Sequence, residues 1–153
     1  FLGQGSAWPA MRQTADTLGL GASTQAVTFV DATPPAEAAA WLRGAHGALV
    51  SLRPGQGYDF AFPTKVFAAV ACGTPVLYAG PGPAGPVVAD NGIGTVTGYD
   101  IDEVAAAMSA MLTAGRPSTR ERERLAGWVR THASADHAGD LAAEVVRDAA
   151  RRR

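Results

Sequence analysis

The sequence predicts an α/β protein with a doubly wound parallel sheet, and three observations support this fold class. Short β-type runs alternate with longer helical runs along most of the 153 residues. Residues 47–52 form a nearly continuous apolar run, as expected of a strand that is covered on both faces. The connections between runs are long enough to hold the helices that parallel strands require. Ligands of such a sheet bind at the carboxyl ends of its strands.

The elements follow in order from local pattern. Strands are predicted over residues 1–2, 26–30, 47–52, 75–79 and 93–96, where apolar or β-branched runs are bounded by Gly, Pro or Asp. Helices are predicted over residues 8–18, 36–42, 63–71 and 101–112, with a further short helix ending at Asp90. Pro63 suits a first helical position and Asp100 suits an N-cap.

The end of the chain has a different pattern. Two helices rich in Arg and Ala are predicted over 120–130 and 135–151, with no strand between them. We therefore assign residues 1–115 to a sheet domain that is truncated at its N-terminus. Residues 116–153 are assigned to helices that pack on this domain or on a domain outside this chain. The closing residues Arg151, Arg152 and Arg153 are interpreted as a solvated or disordered end.

Composition excludes several functional classes. The formal net charge of -1 provides no basic field for nucleic acid, and the apolar runs are shorter than the ~20 residues of a membrane span. Cys72 lies in an apolar helical run and is interpreted as a small buried thiol. His46, His132 and His137 have no partner at a metal-ligand spacing, so no metal is predicted. Because the chain begins with Phe1, we expect it to be cut from a longer protein.

Two places in the sequence suit a diphosphate. Gly3 and Gly5 precede a predicted helix, where a tight turn lets backbone N–H groups approach an anion. Lys65 lies in the first turn of a second predicted helix, where the helix dipole disfavours a cation unless an anion is also present. A solvent-facing lysine is the alternative. Gly3, Gly5 and Asp31 also partly fit a dinucleotide-binding pattern, although Trp8 stands where a further glycine is wanted.

Residues 63–76 resemble a known family signature. Their sequence, Pro-Thr-Lys-Val-Phe-Ala-Ala-Val-Ala-Cys-Gly-Thr-Pro-Val, is similar to the Pro-x-Lys-x-x-Glu-x-x-Ala-x-Gly-x-Pro-Val signature of group 1 bacterial glycosyltransferases, which are retaining, metal-independent GT-B enzymes. Similar patterns occur in the family's order at residues 1–5, 27–30, 47–52 and 87–94, followed by Asp100 and Val104. The resemblance covers nearly the whole chain. It implies the Rossmann-like C-terminal half of a GT-B fold, which binds the nucleotide-sugar donor.

The resemblance implies a function and a setting. The full-length enzyme would transfer a hexosyl group from a UDP- or GDP-type sugar to a hydroxyl acceptor with retention, without a cofactor, in polysaccharide biosynthesis. The N-terminal acceptor-binding domain would lie outside this chain. We therefore expect the isolated chain to be inactive, and to self-associate through apolar surface beside its tail helices. A cytoplasmic location is implied, at the inner membrane face if the missing half binds there, with no nucleic acid and no direct membrane span.

The resemblance also implies a donor site, although it assigns no catalytic residue. Thr64 and Lys65 would lie near the phosphates or the donor sugar, and Gly3 and Gly5 would shape the floor of the cleft. The other implied donor-site residues are Phe29, Asp31, Leu52 and Arg53 near the base, Ala68 on the donor helix, and Gly80 and Gly82 in a Gly-rich wall over residues 80–85.

Two positions depart from the family pattern. The family commonly has one glutamate in the donor loop and another in the following helix, whereas this chain has Phe60 and Ala68 there. Loss of the second removes an acceptor for the ribose hydroxyls. Two alternatives therefore stay open, namely a nonenzymatic GT-B-like domain that binds a partner and a dinucleotide-binding domain that uses Gly3, Gly5 and Asp31.

Overall fold

The structure, a computed structural model, describes residues 1–151 and divides into two compact units. Unit 1 comprises Phe1–Trp41, and unit 2 is the chain from Leu42 onward. Helix α2 (Pro35–Gly44) spans the boundary in sequence. Arg152 and Arg153, which belong to the predicted solvated end, lie outside the described residues.

Unit 1 contains one whole helix and very little strand. Helix α1 (Trp8–Thr17) confirms the predicted helix and has Pro9 in its first turn. Leu2 pairs with Val30 in an isolated parallel bridge, so the strands predicted over 1–2 and 26–30 are wrong beyond that one pair. Within residues 1–41, only Ala15 among the apolar side chains is buried. Two extended segments with so little buried surface do not sustain a longer ladder.

Unit 2 is built on a three-stranded parallel sheet with strand order β1-β2-β3. The strands are β1 (Ala48–Ser51), β2 (Val76–Ala79) and β3 (Gly94–Thr97). The register places Ala48 opposite Val76 and Val76 opposite Gly94. All of β2 is buried, because it is the central strand and is covered on both faces. The predicted α/β fold with a parallel sheet is confirmed.

Helices pack on both faces of this sheet. One face packs against α3 (Lys65–Ala71) and α4 (Ala84–Asp90), and Val50 and Tyr78 belong to the core on that side. Helix α6 (Thr119–His132) packs on α3 and adds to the same core. Side chains alternate along a strand, so Leu49 and Ala79 face the other way and line a groove beside α5 (Ile101–Ala114). Asp100 caps α5 as predicted, because its carboxylate accepts hydrogen bonds from the N–H groups of Asp102 and Glu103 at 2.9 and 3.1 Å.

The two tail helices differ in how they are held. Leu125 and Val129 of α6 are buried, and α6 packs directly on α3. Helix α7 (Ala135–Arg151) has no buried residue among those described, and Leu141 and Val145 are half or more exposed. Among residues 1–151, none of the helices combines the length and the hydrophobicity that a membrane-spanning helix needs.

Polar contacts tie α6 to the end of α4. The Arg124 guanidinium donates to the backbone oxygen of Gly92 at 2.5 Å, and the Trp128 indole N–H donates to the Asn91 side-chain oxygen at 3.0 Å. Arg124 also pairs with Glu121 at 2.7 Å. That hydrogen bond, aided by the charge of Arg124, holds the pKa of Glu121 below its ordinary value of 4.5.

The Glu121–Arg124 pair predicts a small, pH-dependent contribution to stability. Both side chains are more than a third exposed, so solvent screening limits the effect of Glu121→Gln to about 0.5 kcal/mol or less at neutral pH. Because the folded pKa is lowered, the contribution is present above the unfolded pKa and is lost as the pH falls through the folded pKa. Urea unfolding of wild type and Glu121→Gln should therefore differ at neutral pH and converge once the pH is below the folded pKa of Glu121.

A matched control for this measurement is Glu123→Gln, on the same helix. Among the residues described, Glu123 forms no ion pair, so this change should leave stability the same at both pH values. A difference between wild type and Glu121→Gln that persisted at low pH would show that the pair does not act through the charge of Glu121.

Candidate functional site

The candidate donor-site residues are divided between the two units. Unit 1 contains Gly3, Gly5, Phe29 and Asp31. Unit 2 contains the other candidates, which are Leu52, Arg53, Thr64, Lys65, Ala68, Gly80 and Gly82.

In unit 1, the two candidate glycines have different surroundings. Gly3 has a φ of 134°, and its N–H donates to the Val30 oxygen at 2.9 Å. That N–H group is therefore committed to the parallel bridge. Gly5 has space around it, since an added Cβ would meet only Trp8 at 3.8 Å. Only Gly5 of this pair leaves its N–H group open to an anion in the described part of the chain.

Phe29 lies in a cluster of aromatic and cationic side chains. Its ring stacks on Phe1 with centroids 5.3 Å apart and meets the edge of Trp8 at 5.5 Å. The Arg12 guanidinium lies 5.0 Å from the Trp8 ring and 5.4 Å from the Phe29 ring. Asp31, just beyond the bridge, is exposed. The half-buried Phe29 side chain is thus packed against its neighbours in unit 1.

In unit 2, the carboxyl ends of β1 and β2 lie side by side. The Leu52 N–H donates to the Ala79 oxygen at 3.0 Å, which continues the pairing one step beyond β1. Gly80 has a φ of 138°, and its Cα lies so close to the Leu52 carbonyl that a side chain would collide with it. Leu52 is half-buried, whereas Arg53 is exposed. Gly80 is therefore required for close packing between the two strand ends.

The loop over residues 53–62 rests against the Gly-rich turn that follows β2. Gly82 has a φ of 100°, and a Cβ there would come within 2.5 Å of the Asp59 carbonyl oxygen. The Asp59 carboxylate accepts from the Gly55 N–H at 3.1 and 3.3 Å. The Tyr78 hydroxyl donates to the Pro81 oxygen at 2.5 Å, and burial raises the pKa of this phenol. The turn is thus a fixed support for the loop.

The start of α3 presents the remaining candidates on its exposed side. The helix begins at Lys65, so the prediction that Pro63 is its first helical residue is wrong. The Pro63 oxygen instead accepts from Val66 at 3.0 Å in a tight turn, while the Ala68 N–H reaches the Thr64 oxygen at 3.1 Å. This makes Thr64 the N-cap, although its side chain makes no capping bond.

Thr64, Lys65 and Ala68 are all exposed, whereas Val66 and Val70 are buried. Lys65 and Ala68 are three residues apart and share a face of the helix. Among the residues described, neither Lys65 nor Arg53 has a carboxylate within ion-pair distance. Two cations therefore flank the loop, one at each end, and both are accessible to an anionic ligand.

Sequence reasoning overlooked the aromatic side chains of this loop as a feature of the site. Tyr58 and Phe60 are 64% and 80% exposed, on either side of the anchored Asp59. The available signal was their position just after Gly55 and Gly57, in a loop between a strand and a helix. Within the described residues, no group of three or more His, Cys, Asp or Glu side chains is placed to hold a metal ion.

Comparison with known proteins shows what this chain is similar to in sequence. No protein-family model matches the chain. The chain is 34% identical over 149 residues to D-inositol 3-phosphate glycosyltransferase of Mycobacterium marinum, a match that covers 96% of this chain and 29% of that protein. The chain thus spans less than a third of that relative's length. Over nearly its whole length, the chain is thus similar in sequence to part of a glycosyltransferase.

Proposed function

We propose that this chain is the donor-binding domain of a retaining, group 1 glycosyltransferase with a GT-B fold. The observation that carries the proposal is the exposed Lys65 within the Pro-Thr-Lys stretch, in a chain that is 34% identical over 149 residues to a glycosyltransferase. Lys65 and Arg53 flank a loop at the carboxyl end of β1. Open α/β sheets bind ligands at that end, and two accessible cations suit a diphosphate.

The proposed chemistry is transfer of a sugar from a nucleoside diphosphate sugar, of the UDP or GDP type, to a hydroxyl acceptor. As the bond from the sugar to the diphosphate breaks, negative charge develops on the leaving phosphate. Lys65 and Arg53 would stabilise that charge, and the fixed loop would hold the donor in position. The acceptor would be bound by a further domain of the same protein, so we expect this chain alone to bind the donor without transferring the sugar.

Two observations favour a second candidate, a nonenzymatic domain of the same fold that binds a partner. Ala68 offers no acceptor to a ribose, and α7 exposes an apolar face that includes Leu141, Val145 and Val146. The dinucleotide-binding alternative has less support, because the Gly3 N–H is committed to Val30 and residues 26–30 do not form the strand which that pattern needs.

Thermal unfolding with added nucleotides separates these candidates. Binding to the folded state alone stabilises a protein by about 2.7 kcal/mol when the ligand is at a hundred times its Kd. We expect UDP or GDP to raise the Tm of this chain and NAD to leave it unchanged. Stabilisation by NAD alone would favour the dinucleotide-binding domain. No stabilisation by any of the three, in a chain that unfolds cooperatively, would favour the partner-binding domain.

A further inference from the structure

The loop between β1 and α3 is anchored at its middle residue. Asp59 makes two contacts. Its carboxylate accepts a hydrogen bond from the Gly55 N–H, and its backbone oxygen packs closely against Gly82. The Ala61 N–H donates to the Tyr58 oxygen at 2.8 Å, which closes a turn with Asp59 and Phe60 at its two central positions. The backbone on both sides of Asp59 is therefore fixed, and the neighbouring side chains are displayed from it.

The two side chains displayed by this turn are aromatic and exposed. Tyr58 is 64% exposed and Phe60 is 80% exposed. Phe62, only two residues further along, is partly buried and stacks on Phe67 with ring centroids 4.6 Å apart. The core thus accepts an aromatic ring from this segment, yet Phe60 points away from it. An exposed phenylalanine ring contributes little to the burial of apolar surface on folding. The ring of Phe60 is therefore free to pack against a ligand.

Two cations lie close to the aromatic pair along the chain, and they indicate the chemistry of that ligand. Arg53 stands at the start of the same loop and Lys65 at its end, and both are exposed without an ion-pair partner among residues 1–151. The cations suit phosphate oxygens. Tyr58 and Phe60 suit the flat face of a ring, because aromatic side chains stack on such faces. A ligand that fits both parts carries phosphates joined to a ring with an apolar face.

We propose that Tyr58 and Phe60 form an aromatic platform that stacks on a ring of the nucleoside diphosphate sugar. This inference rests on the proposed function and deepens it. It assigns recognition of the donor to the aromatic ring of Phe60, at the loop position where the family commonly has a glutamate. Phe60 carries no hydrogen-bonding group, so it recognises the shape of a ring rather than its polar groups. The ring of the ligand is either the base or the sugar, and these two possibilities predict different results for UDP and UDP-glucose.

Calorimetric titration of the 153-residue chain with UDP, GDP and UDP-glucose tests the platform. Phe60→Ala should weaken binding of a nucleotide ligand by about five- to thirtyfold, which lies in the lower part of the range expected when a stacked ring is removed. Phe60→Tyr keeps the ring and should bind like wild type, whereas Phe60→Leu should weaken binding as Phe60→Ala does. Leu112→Ala, which truncates an exposed apolar residue near the end of α5, is the matched control and should change nothing.

The outcomes separate the two rings and the two proposals. Equal weakening for UDP and UDP-glucose assigns the platform to the base, and weakening for UDP-glucose alone assigns it to the sugar; either result supports the inference. If wild type binds and Phe60→Ala and Tyr58→Ala both bind equally well, the platform is overturned while the proposed function stands. If wild type binds none of the nucleotides while its unfolding remains cooperative, the proposed function fails and the inference with it.

Discussion

Replacing Leu125 with alanine should lower the free energy of unfolding by about 2–5 kcal/mol, the range for a large-to-small change at a buried leucine. Leu125 is fully buried in α6 and belongs to the core cluster that includes Val66 and Val70 of α3. The change removes apolar contacts and leaves a cavity between packed helices, which relaxes only in part. Urea unfolding of wild type and Leu125→Ala measures the difference.

Leu141→Ala is the matched control, because Leu141 lies on α7 and is 50% exposed. Its effect on the free energy of unfolding should stay within about 0.5 kcal/mol. A loss of less than about 1 kcal/mol for Leu125→Ala would show that α6 is dispensable to the core. The expected large loss would mean that the sequence boundary at residue 115 separates two patterns of sequence rather than two packing units.

The sheet of unit 2 could be predicted from sequence because its signals are local. Residues 76–79 are apolar throughout, as a central strand covered on both faces must be. Asp100 signals the start of α5 through capping chemistry that needs only the next few residues. The predicted strand over residues 26–30 failed for the opposite reason. A strand exists only with a partner, and the described structure gives that segment one bridge, from Val30 to Leu2.

The candidate site was predictable only in part. The spacing of Lys65 and Ala68 predicts a shared helix face, and the structure places both on the exposed side of α3. The glycine pattern could not reveal what each glycine touches. Gly80 and Gly82 pack against Leu52 and Asp59, which are distant in sequence, so their roles depend on the completed fold. The same holds for the Gly3 N–H, whose partner Val30 is fixed by a non-local bridge.

The largest expected effect on binding comes from Lys65. If a nucleoside diphosphate binds beside the start of α3, Lys65→Ala removes a charge-assisted hydrogen bond of about 1.5–3 kcal/mol. That loss corresponds to roughly ten- to a hundredfold weaker binding. Both residues of the exposed pair can be changed without disturbing the core, since neither Lys65 nor Ala68 is buried. Calorimetric titration with UDP and GDP is the measurement.

Ala68→Glu should move binding in the opposite direction. Glutamate at position 68 shares the helix face of Lys65 and would place an acceptor within reach of ribose hydroxyls, as at the matching position of the family signature. Its gain should be smaller than the loss from Lys65→Ala, because the new carboxylate gives up water and repels the diphosphate. Opposite shifts would place the donor against this face of α3. If both variants bind nucleotides like wild type, the donor contacts other residues, and the exposed Lys65 is only a solvated surface lysine.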